Sequence, residues 1–91
     1  MKGSHEFWER LDLPGETLPG QVLVEIAGES RVLVEHHLGV REYTRQRIGI
    51  QVKFGLIQVT GDCLALRRMT REQLVITGRI DSVVLNRRGP C

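Results

Sequence analysis

From Gln21 onward apolar residues recur at every second position, and this period restricts the folds open to the chain more than any other feature. Val22, Val24 and Ile26 alternate with Leu23 and Glu25; Val32 and Val34 alternate with Arg31, Leu33 and Glu35. Ile48, Ile50, Val52 and Phe54 form the cleanest row, against Arg47, Gly49, Gln51 and Lys53. Ile57 with Val59, Leu64 with Leu66, Leu74 with Ile76, and then Ile80, Val83 and Leu85 complete the set. Successive side chains of a strand point to opposite faces, so a period of two predicts strands with one apolar and one wet face. Ala27-Gly28-Glu29-Ser30 reads as a hairpin turn, Gly55 as a second turn and Gly61-Asp62 as a third. Short alternating strands broken by frequent turns predict an all-β domain with antiparallel pairing.

The segment ahead of the strands follows a different rule. Ser4 is placed to cap a short helix over about His5 to Leu11, with Glu6 in its first turn. Phe7 and Leu11 share a face of that helix, with Trp8 at its border. Leu13-Pro14-Gly15 ends the segment and Pro19-Gly20 separates it from the first strand. The expected organisation is an N-terminal arm over 1–16, a β domain over 17–86 and a flexible tail over 87–91. Phe7, Trp8 and Leu11 are offered to an open edge or face of the β domain, to a partner, or shallowly to a membrane surface.

A weak self-similarity runs at a spacing of 26 residues. Leu38, Val40, Arg41, Thr44, Arg45, Ile48 and Ile50 align with Leu64, Leu66, Arg67, Thr70, Arg71, Leu74 and Ile76, and one step earlier Val22, Val24 and Ile26 align with Ile48, Ile50 and Val52. Strand-turn-strand units that cannot bury their apolar faces alone must stack. The expected architecture is therefore a small antiparallel roll or a solenoid-like stack of short strands.

The chain lacks the signatures of most chemistries. Its 91 residues make one small domain. No apolar run approaches the ~20 residues of a membrane span, and Met1 to Pro14 carries acidic residues where a secretory signal needs an apolar core. No Gly-rich loop precedes a helix, and Ser4, Ser30 and Ser82 sit in no nucleophile elbow. Neighbours on a strand face opposite ways, so His36-His37 is ill suited to one metal ion. No enzyme activity, cofactor or metal is expected. Cys63 reads as a small buried hydrophobe and Cys91 as part of the tail, which suits a reducing cytoplasm.

The charge is uneven: residues 1–40 sum to −4 and residues 41–91 to +6. The halves either neutralise each other within one fold or draw chains or an acidic partner together. Tyr43 with Arg41, Arg45, Arg67 and Arg71 is the expected interaction surface, and Phe7 and Trp8 are its counterpart in the arm. Two other readings stay open. One is a nucleic-acid-binding module using the basic half, weakened by the shortage of aromatics for stacking. The other is a self-assembling structural protein built on the repeat.

Over roughly Leu11 to Leu85 the sequence resembles the YabP/YqfC family of sporulation proteins, the YqfC branch in particular. Leu11-Asp12-Leu13-Pro14 resembles that branch's Leu-Asp-Leu-Pro opening. Val34-Glu35-His36-His37-Leu38-Gly39-Val40-Arg41-Glu42-Tyr43-Thr44 is similar to the family's Glu-Asn-His, Gly, Glu-Tyr pattern, with His36 at the Asn position and His37 matching. Gly55, Ile57, Val59, Gly61, Leu64 and Leu66, then Glu72, Val75, Gly78, Ile80 and Val83, resemble its ending of alternating aliphatics and single glycines. The resemblance implies a protein of endospore formation in the mother cell, without catalytic residues. It also implies a partner of the YqfD membrane-protein type, and so a place in the cytoplasm or at the periphery of the membrane that surrounds the forespore.

Overall fold

The computed structural model describes residues 20–88. The expected helix over His5 to Leu11, with Phe7 and Trp8, lies outside the described residues. Among the described residues six strands follow one another: β1 (Leu23–Ala27), β2 (Arg31–Glu35), β3 (Gly39–Tyr43), β4 (Arg47–Val52), β5 (Gly55–Met69) and β6 (Gln73–Arg87). They form one open sheet in the order β1-β2-β6-β5-β4-β3, and every pairing is antiparallel. The described residues are all-β, as their period requires.

The two long strands explain how one sheet makes a core. The first part of β5 pairs with β4 and with the end of β6; its last part pairs with the start of β6, which in turn pairs with β2. Each long strand thus belongs to two halves of the sheet. Val32, Val34, Leu74 and Ile76 come from one half, and Ile48, Ile50, Val52, Ile57 and Val59 from the other; all nine are fully buried in one cluster. A single layer leaves both faces wet, so this burial requires the sheet to fold over itself, the roll rather than the solenoid. Burial of each such side chain contributes roughly 1.5–3 kcal/mol.

The fold line corrects one expectation. Gly61-Asp62 is not a turn but lies inside β5, where the register shifts at Thr60/Gly61, Asp62/Ala65 and Leu66/Arg68. Bulges bend a strand and increase its twist without ending it. A Cβ on Gly61 would collide with the Arg79 carbonyl, so this glycine marks a close backbone approach. On β6, Gly78 holds a φ of +136° at the same fold line, and a Cβ there would stand 2.6 Å from the Cys63 carbonyl oxygen. A second correction concerns Cys63: it is exposed, with a φ of +54°, because it sits on the outside of the bend.

The spacing of 26 has a structural counterpart in two turns. Thr44 N–H donates to Arg47 O at 2.8 Å, and Thr70 N–H donates to Gln73 O at 2.7 Å. Each threonine hydroxyl oxygen also accepts the N–H three residues on, at 2.8 Å for Arg47 and 3.0 Å for Gln73. The hydroxyls of Thr44 and Thr70 lock the same tight connection twice, between β3 and β4 and between β5 and β6.

Candidate interaction clefts

Tyr43 is the last residue of β3 and lies opposite Ile48 on β4. Its hydroxyl accepts the Leu66 N–H at 3.1 Å, yet the residue is 53% exposed. Met69 is the last residue of β5, lies opposite Leu74 on β6, and is 52% exposed. Tyr43 and Met69 are 26 residues apart in the chain, as are Ile48 and Leu74. Each residue borders a cleft. One cleft, of about 490 Å³, is lined by Tyr43, Thr44, Arg45, Cys63, Leu64 and Ala65. The other, of about 470 Å³, is lined by Met69, Thr70, Arg71, His37, Leu38 and Gly39. Every residue of the first corresponds to one of the second at the spacing of 26. The turn of one unit faces the bend of the other, and the reverse, so the clefts are reciprocal.

The two clefts differ because the bends are out of step by one residue. Left-handed backbone occurs at His36 (φ 66°) and at Cys63 (φ 54°), 27 residues apart. In each bend the next residue turns inward: His37 after His36, Leu64 after Cys63. Leu64 is 3% exposed, whereas Leu38, its partner at the spacing of 26, is left outside at 66%. His37 takes the buried place instead. Its Nε2–H donates to Thr70 O at 2.8 Å and its Nδ1 accepts the Gly39 N–H at 3.0 Å. His36 turns its Nδ1 to Gln21 O at 2.8 Å. Histidine is among the residues enriched in left-handed backbone, which suits His36 to this position.

The other arginines expected at the surface are dispersed. Arg41 donates to Gln51 Oε1 at 2.6 Å and borders a groove with Arg88, Leu56 and Asn86. Arg67 donates from Nε to Thr77 Oγ1 at 3.2 Å. Arg45 lines the Tyr43 cleft and Arg71 the Met69 cleft. Among the described residues expected at the interaction surface, Tyr43 and Arg45 line one cleft together. Phe7 and Trp8 lie outside the described residues. Leu38 and Met69 were not singled out, although the repeat pairs Met69 with Tyr43. Among the described residues, no group of three or more His, Cys, Asp or Glu is arranged to hold a metal ion, and no helix is long and apolar enough to cross a membrane.

Compared with known proteins, the chain matches the model of the YabP family over residues 20–90. No curated protein and no solved structure matches it. Leu11-Asp12-Leu13-Pro14, on which the likeness to the YqfC branch leans, lies ahead of the matched span.

Proposed function

The chain belongs to the YabP family of sporulation-related proteins, and from that premise we propose that it is a non-enzymatic interaction module whose contact surface is the Tyr43–Arg45 cleft. One observation carries this reading: Tyr43 is pinned through its hydroxyl to the Leu66 N–H, while about half of its surface stays open beside Arg45. A ring already held in place loses little freedom on binding. Tyrosine and arginine are also enriched among the residues that dominate binding energy. The partner is a protein. The likeness to the YqfC branch points to a membrane protein of the YqfD type, met in the mother cell at the membrane around the forespore.

The test is co-purification from sporulating cells with tagged wild type, Tyr43→Ala and Arg45→Glu at matched abundance. The expected result is a membrane or envelope protein recovered with the wild type and reduced about tenfold with each variant. Recovery of no such protein, or equal recovery with all three chains, overturns the proposal.

A second reading, self-assembly, is favoured by β1. Among the described residues it is an edge of the sheet with no register shift, and its inward-facing Ile26 is half exposed. An edge strand offers unpaired backbone groups to a further strand.

A further inference from the structure

β6 runs on past the strand that flanks it, which leaves one flank of its second half without a strand partner among the described residues. β2 pairs with β6 only as far as Thr77, and the Glu29 carbonyl of the β1–β2 turn accepts the Ile80 N–H at 2.8 Å. Over residues 82–87 the other flank of β6 pairs with β5 without a register shift. On that side the Arg88 N–H donates to Phe54 O at 2.9 Å. Backbone groups alternate between the two flanks of an antiparallel strand, so those of Val83, Leu85 and Arg87 point to the open flank. Unpaired groups of this kind are a template for a further strand. The side chains need cover as well. Val83 and Leu85 lie opposite the buried Val59 and Ile57 and so face the core, yet Leu85 is 55% exposed. Asp81 and Arg87 are exposed at the two ends of the segment, with no ion-pair partner among the described residues.

This segment is complementary to itself. Two copies set antiparallel about Val84 place Asp81 opposite Arg87, Ser82 opposite Asn86 and Val83 opposite Leu85, with Val84 against its own counterpart. An opposite-charge pair then stands at each end. The residues whose backbone groups are open meet one another, and Leu85 packs beside the Val83 of the second copy. The same operation on β1 sets Glu25 against Glu25, so charge favours β6 as the self-pairing flank. We propose that a second copy of this chain pairs with residues 81–87 of β6, forming a two-fold dimer in which the sheets join edge to edge. A two-fold contact uses the same surface on both copies and closes after one pairing. The inference rests neither on the Tyr43 cleft nor on self-assembly through β1.

Light scattering on the full chain should give twice the mass of one chain at every concentration used for sizing. Asp81→Arg and Arg87→Asp each turn both opposite-charge pairs into like-charge pairs and should raise the dissociation constant about tenfold, read by dilution. Asp81→Arg combined with Arg87→Asp rebuilds the pairs and should restore the dimer. Val84 meets its counterpart at a non-hydrogen-bonded position, where opposed Cα atoms stand about 4.5 Å apart, within the reach of a disulfide. With Cys63→Ser and Cys91→Ser in place, Val84→Cys should therefore cross-link two chains under oxidised glutathione, and Glu25→Cys should not. Thermal unfolding of each variant confirms that the fold persists. A single-chain mass for the wild type overturns the proposal, whatever covers the flank in its place. So does a charge swap that fails to restore the dimer, an absent cross-link with Val84→Cys, or an equal one with Glu25→Cys.

Discussion

His37 donates its Nε2–H to the Thr70 carbonyl at 2.8 Å and so ties the β2–β3 bend to the β5–β6 turn. Gly39 N–H has only its hydrogen to offer, so Nδ1 must accept it, and this fixes the proton of the neutral ring on Nε2. His37→Ala removes both part-buried bonds along with the buried ring that makes them. The expected loss is about 2 kcal/mol, or a fall in Tm of about 10 °C for a domain of this size. His37→Gln, which restores one bond at most, should fall between. A variant that melts with the wild type would show that the bridge contributes nothing.

Leu38 and Leu64 occupy the same place in the repeat with opposite burial, so identical substitutions should separate sharply. Leu64→Ala opens a hole in the core and is expected to cost about 2–4 kcal/mol. Leu38→Ala removes a side chain that is 66% exposed and should stay within about 0.5 kcal/mol. Urea midpoints of the two variants measure the difference. Equal midpoints would contradict the one-residue slip between the bends.

Backbone geometry makes a similar pair of Gly78 and Gly28. A Cβ at Gly78 meets the Cys63 carbonyl at 2.6 Å and the Leu64 Cα at 2.9 Å, with φ at +136°. Both neighbours are backbone, so Gly78→Ala has to move β5 against β6, at an expected cost of about 3 kcal/mol or more. Gly28, in the β1–β2 turn, has a φ of +59° and nothing within 4 Å of a Cβ. Asn tolerates that conformation, and Gly28→Asn should cost no more than about 1 kcal/mol. Denaturant unfolding of both variants is the check.

The parts of the fold that the sequence discloses are those governed by period two. The rows Val32/Val34, Ile48/Ile50/Val52, Ile57/Val59 and Leu74/Ile76 are the core itself, because alternation and burial are the same fact about a strand. β3 is harder to see: Arg41 and Glu42 interrupt its alternation, and a register shift falls between Val40 and Glu42. Gly61-Asp62 carries turn chemistry but sits in a bulge, since a glycine that admits a neighbouring backbone looks in sequence like one that reverses the chain. The reciprocal clefts were half disclosed. The spacing of 26 pairs Tyr43 with Met69 and Thr44 with Thr70, but the slip that buries His37 and exposes Leu38 depends on which residue takes the left-handed backbone, and residue types alone do not dictate that choice.

The edges of the sheet are protected unequally, and the difference sets the last expectation. β3 carries Arg41, Glu42 and a bulge, all of which discourage a further strand. β1 reads Leu-Val-Glu-Ile-Ala and pairs with β2 without a shift, so Glu25 is its one charge. Two copies of β1 meeting antiparallel about their centres would set Glu25 against Glu25, a like-charge pair that opposes association. Glu25→Val removes that opposition and leaves six consecutive apolar residues, positions 22–27, at an open edge, the pattern of aggregation-prone strands. The wild type should elute from a sizing column at one position over a wide concentration range, whereas Glu25→Val should shift to larger species as concentration rises. Glu25→Lys keeps a like-charge pair of the opposite sign and should behave as the wild type does. Association of the wild type itself through β1, abolished by Ile26→Lys, would instead favour the self-assembly reading.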